Sequence, residues 1–118
     1  MKLSAITSRL IQLALAGAVA ALVSAPTLAA VDADAAVALA KKSDCLKCHA
    51  VDKDKKASSY KKIAQSWKGK PDAVAKVVDA ITKGPKVKMK DGTEEEHKVI
   101  ETKDPAALKN LAEWILSQ

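Results

Sequence analysis

The 118-residue chain contains no phenylalanine, and its aromatic content is only 3%: two tryptophans and one tyrosine. So few rings cannot fill the core of a domain this size well in the ordinary way, and something else could supply a large flat apolar body. Two cysteines and two histidines could nominally make up four zinc ligands, but their spacings do not match a zinc finger. Arg9 is the only arginine, and no acid precedes Asp32. The net charge of +6 rests on scattered lysines with no aromatics interleaved, a pattern unlike a nucleic-acid-binding surface. There is no internal repeat and no convincing set of strands.

What is present first is an export signal. Lys2 and Arg9 form a basic start, Leu10 to Val23 is apolar, Pro26 interrupts it, and Thr27-Leu28-Ala29 places small residues where a signal peptidase reads. The apolar run is short for a membrane span, which needs about 20 residues. Residues 1–29 are therefore expected to be removed, leaving a single domain at 30–118 with no membrane span. Its charge is +4, because Lys2 and Arg9 leave. The expected location is the periplasm.

The mature part reads as all-α, with about four helices. Asp34 is the expected cap of a helix over about 35–47, and Ser59 caps a second, in which Tyr60, Ile63, Ala64 and Trp67 follow helical spacing. A third begins with Pro71 in its first turn, carries Ala73, Val74, Val77, Val78 and Ile81 on one side, and stops at Gly84-Pro85. Asp104 and Pro105 start the fourth, with Leu108, Leu111, Ala112 and Ile115 facing inward. Residues 86–103 form a long irregular strap, and so long a connection in a small domain is usually functional or disordered.

The chemistry sits at Cys45-Leu46-Lys47-Cys48-His49. Two thiols three positions apart on a turn reach two vinyl groups on one porphyrin edge and form thioethers, and the next imidazole then lies under the iron. The bland alternatives are a redox dithiol, which lacks its strand–turn–helix setting here, and a structural disulfide, which leaves the adjacent His49 unexplained. A porphyrin is also the missing flat apolar body. The expected cofactor is one covalently attached haem c with its iron.

With that motif and the last helix placed, the chain resembles a short, soluble bacterial class I cytochrome c over nearly all of residues 34–118. The resemblance is carried by CLKCHAVD (45–52), SYKKIAQSWKG (59–69), DAVAKVVDAITKG (72–84) and LKNLAEWILSQ (108–118). It implies a fold whose first and last helices cross near the haem edge, with Trp114 at the crossing and Tyr60 and Trp67 near the haem. Two departures stand out. Ala57-Ser58 replaces the family's Gly-Pro, leaving the Ser58 carbonyl to receive the proximal imidazole. The family's distal Met-Pro is missing altogether.

The distal side therefore stays open between two residues. The resemblance implies a distal ligand about four turns' worth of chain before Trp114; His97 lies 17 positions before it and Met89 25, so register favours His97. A turn at Asp91-Gly92 would pair Met89 with Glu94 and Lys86 with His97, putting the two candidates on opposite faces. Alternatively Thr93 and Glu96 form a capping box, and a short helix presents His97. The preferred reading is His97, with Met89, or neither, as alternatives. A second imidazole stabilises ferric iron and lowers the potential, while a thioether raises it.

Functionally the expectation is a periplasmic single-electron carrier, not an enzyme, as a monomer or a subunit. Its lysines would meet redox partners with an acidic docking surface. The alternatives are a haem protein that binds or senses small gases such as NO or CO, and the haem subunit of a periplasmic oxidoreductase.

Overall fold

The computed structural model describes residues 30–118; the expected export signal lies outside the described residues. Among the described residues there are four helices: α1 (Ala33–Lys42), α2 (Tyr60–Trp67), α3 (Ala73–Lys83) and α4 (Pro105–Leu116). A short 3-10 turn covers Cys45–Lys47, and a two-stranded antiparallel hairpin, β1 (Lys86–Lys88) and β2 (Glu94–Glu96), lies in the strap. No helix among the described residues is long and apolar enough to cross a membrane.

Helix α4 is the axis of the fold, and α1, α2 and α3 all pack on it. The reason is its sequence: Leu108, Leu111, Ala112, Trp114 and Ile115 are all buried, so it offers apolar surface to three neighbours. Ala36 and Ala40 are the buried residues of α1. Asn110 fixes the start of α1: its Oδ1 accepts from the Asp32 N–H at 2.8 Å, and its Nδ2 donates to the Asp32 carbonyl at 2.8 Å. Trp114 meets Tyr60 edge-on, with ring centres 5.5 Å apart.

Several sequence expectations need correction. The cap of α1 is Asp32, whose side chain accepts from the Ala35 N–H; Asp34 sits in the first turn. There its charge still suits the helix N-terminus. The helix also ends at Lys42, because Asp44 turns left-handed (φ 60°) and separates the cysteine segment from it. Pro71 precedes the Asp72 cap of α3 and is not in its first turn. Ser59, Gly84, Asp104 and Pro105 stand where the sequence puts them.

The strap is a hairpin, so neither a strandless strap nor a helix capped by Thr93 is present. Its pairs are Lys86↔Glu96, Val87↔Glu95 and Lys88↔Glu94, one residue out of the expected register. The loop is three residues long, not two. Asp91 Oδ1 accepts from the Thr93 N–H at 2.9 Å, Gly92 takes φ 89°, and the Met89 N–H donates to the Thr93 carbonyl at 2.7 Å. A slip of one residue exchanges the faces of a strand. Met89 and His97 thus come to the same side of the strap, not to opposite faces.

Candidate metal centre

Between α2, α3, the cysteine turn and the strap lies a cavity of about 590 Å³. Cys45, Cys48 and His49 form one wall, with Tyr60, Ile63 and Trp67 from α2 beside them. Helix α3 contributes Val77, Ala80 and Ile81, and the strap closes the far side with Val87, Met89 and His97. Every site residue expected from the sequence therefore lines this one space.

The His49 wall is built by short-range backbone bonding. The His49 N–H donates to the Cys45 carbonyl at 3.0 Å, and the Ala57 N–H donates back to the Cys48 carbonyl at 3.0 Å. That closes the polar loop 50–57 and delivers the Ser58 carbonyl to His49 Nδ1 at 2.7 Å. A carbonyl can only accept, so Nδ1 carries the proton and Nε2 keeps a free lone pair. The ring stacks on Tyr60, with centres 5.2 Å apart and planes 19° apart. Burial holds the His49 pKa below the usual histidine value; the Ser58 carbonyl opposes this, and neighbouring His97 adds to it. Burial likewise raises the Cys45 thiol and pushes Tyr60 up, with the neighbouring Cys45 adding to the shift at Tyr60.

His97 repeats this arrangement on the other wall. Its N–H donates to the Pro85 carbonyl at 2.8 Å, and its Nδ1 donates to the Lys98 carbonyl at 2.9 Å. The two imidazoles are neighbours, with ring centres 6.2 Å apart and planes tilted by 41°. A metal held about 2 Å from one nitrogen of each ring would set the centres roughly 6 Å apart. The gap therefore fits one metal ion with an imidazole on each side.

Two carboxylates hold the strap against the cysteine side. Asp54 accepts from Lys90 at 2.7 Å, from the Ser59 N–H at 2.9 Å and from Lys62. Those charges and the amide hold its carboxyl well below the usual carboxylate range. Asp44 pairs with Lys98 at 2.8 Å and Lys47 at 3.1 Å, and is held below its ordinary value for the same reason. Asp54 lies in a polar stretch of sequence with no signal of its own. Its partner Lys90 is 36 residues away, a pairing that no local pattern announces.

The cytochrome c family model matches residues 33–118. The chain belongs to the cytochrome c family. Its fold is that of a class I cytochrome c, and the family's cofactor is a covalently attached haem c that serves electron transfer; the CxxCH of Cys45, Cys48 and His49 fits it. Among solved structures, this cytochrome is 55% identical to the class 1 cytochrome MtoD from Sideroxydans lithotrophicus ES-1. That match covers 75% of this chain and 97% of that one, with a TM-score of 0.72. It is 30% identical to cytochrome c552 from Nitrosomonas europaea, covering 69% of this chain and 96% of that one, with a TM-score of 0.57. No curated protein matches it.

Proposed function

We propose that this cytochrome is a periplasmic single-electron carrier, with Cys45 and Cys48 as the thioether residues and His49 and His97 as the two axial ligands. The carrying observation is the pair of imidazoles 6.2 Å apart, each with its Nδ1 committed to a carbonyl. Those hydrogen bonds fix the tautomer, orient both rings and raise the basicity of the free nitrogens. Haem c, when bound, supplies a one-electron iron couple. Tyr60 and Trp67 would pack beside it as apolar walls.

The residues around the cavity favour a carrier. Two nitrogen ligands whose rings are each oriented by a carbonyl change little between oxidation states, and a second imidazole places the couple at lower potential than a thioether would. Lys76 and Lys88 line the cavity and are exposed. They supply the positive charge with which an acidic redox partner would be steered. The reading assigns no catalytic residue. Export is supported by the pattern of residues 1–29, and sequencing the N-terminus of the periplasmic protein tests it.

Met89 lines the same cavity and is the competing ligand. Ferric spectra of His97→Ala and Met89→Ala decide between them. We expect His97→Ala to lose the low-spin six-coordinate spectrum and Met89→Ala to keep it. A far-red thioether band in the wild type, retained in His97→Ala, would reverse the assignment.

A further inference from the structure

Three glycines of the described chain adopt left-handed backbone: Gly69 (φ 77°), Gly84 (φ 61°) and Gly92 (φ 89°). A Cβ built at Gly69 or Gly92 meets nothing within 4 Å. At Gly84 it would stand 3.1 Å from the His97 carbonyl oxygen and 3.1 Å from Val99 Cγ1. This glycine caps the C-terminus of α3, where helix carbonyls lack partners inside the helix. The strap uses that end as its seat. The Ile100 N–H donates to the Ile81 carbonyl at 2.8 Å, and the His97 N–H donates to the Pro85 carbonyl at 2.8 Å. Residues 97–100 thus lie across the end of α3, and the absence of a side chain at position 84 sets how closely.

We propose that Gly84 is a positioning residue for the distal ligand: the bare Cα lets the His97 backbone settle onto the end of α3, so that its imidazole faces His49 at one-metal spacing. The assignment rests on the reading of His97 as the second axial ligand. The spacing between the rings leaves little slack. Hydrogen bonds to neighbouring carbonyls tie both the backbone and Nδ1 of His97, so the ring cannot simply swing to compensate. A methyl group at position 84 must push the His97 carbonyl or Val99 outward, and the ring's free nitrogen moves with the backbone. The cysteine side, anchored through other elements, is left in place.

The test compares Gly84→Ala, Gly84→Asn, Gly69→Ala and His97→Ala in the haem-loaded protein, reading CO affinity of the reduced form and the ferric spectrum. Gly69→Ala imposes the same left-handed strain on alanine with no neighbour to strike, so it controls for lost stability alone. Asparagine tolerates left-handed backbone but brings a Cβ, so Gly84→Asn isolates the contact from the strain. We expect Gly69→Ala to bind CO as the wild type does. Both Gly84 variants should bind it roughly tenfold more tightly, as the fraction with His97 detached rises by that factor. Both should also gain high-spin ferric signal. If Gly84→Ala fails to fold, Gly84→Asn still decides. Gly84 variants indistinguishable from Gly69→Ala, beside a His97→Ala that has lost its low-spin spectrum, would overturn the Gly84 assignment alone. A His97→Ala that keeps its low-spin spectrum overturns the His97 reading, and the Gly84 assignment with it.

Discussion

Ile100 offers the most direct measure of how firmly the strap is held. Its side chain is only 2% exposed although Val99 beside it is 48% exposed, and its N–H is bonded to the Ile81 carbonyl. It is the apolar peg at the end of a segment that is otherwise charged. Ile100→Val removes one buried methylene, which costs about 0.5–1.5 kcal/mol. Where that cost appears depends on whether the strap opens as a unit of its own. If it does, the open population rises by roughly two- to twelvefold, since about 1.4 kcal/mol is a factor of ten. Stopped-flow mixing of the reduced protein with CO reads this population, because entry awaits departure of the distal ligand. Amide exchange at the His97 and Ile100 N–H groups reads it independently. A CO rate unchanged from wild type, together with a denaturation midpoint lowered by the full amount, would refute separate opening. Ile100 would then belong to the global core and not to a strap anchor.

Asp54→Asn keeps an oxygen for the Ser59 N–H but removes the charge that holds Lys62 and Lys90. Strap amides should exchange faster in this variant at neutral pH. The depressed carboxyl also fixes the sign of a pH effect: its contribution is complete above the ordinary carboxylate range and declines as pH falls through the lowered folded value. Acid titration of stability in the wild type should include this component, and Asp54→Asn should lack it. Asn110→Ala removes both bonds to the Asp32 backbone at a cost of about 1 kcal/mol, lowering Tm by about 4–8 °C. Its haem spectrum should match the wild type, and a changed spectrum would show that the α1–α4 contact reaches the ligands.

Local chemistry made the helices and the His49 side legible. Ser59, Asp104-Pro105 and Gly84 act within one turn of themselves, so a single sequence shows them. The cysteine turn is likewise local. What a local reading misplaces are choices made by distant partners. Asp32 and Asp34 are equally good caps, and Asn110, 78 residues away, seats Asp32. The strap register is settled partly by local bonds and partly by a partner 12 residues away. Asp91-Gly92 suits loops of two or three residues, and the longer one is closed by the Asp91–Thr93 bonds and by the seat of His97 on Pro85. The sequence register of His97 against Trp114 points to a residue that lines the cavity, but does not show that it shares a face with Met89.

The two sides of the metal centre differ in how they are held, and this bears on where the protein can yield. The His49 wall lies against buried Tyr60 and sits among consecutive backbone bonds from residue 45 to 61. The strap has three-residue strands whose residues are mostly exposed. Its cross-strand neighbours are opposite charges, Lys86 with Glu96 and Lys88 with Glu94, which stabilise a hairpin by a few tenths of a kcal/mol each and weaken with salt. Its firm attachments are few: Ile100 in the core, the seat on α3 at Gly84 and Pro85, and the ion pairs to Asp44 and Asp54. Low-stability segments are the ones that open first. Under the proposed bis-histidine ligation, loss of a ligand under acid, salt or heat should therefore begin at His97, with the helical body and His49 still in place.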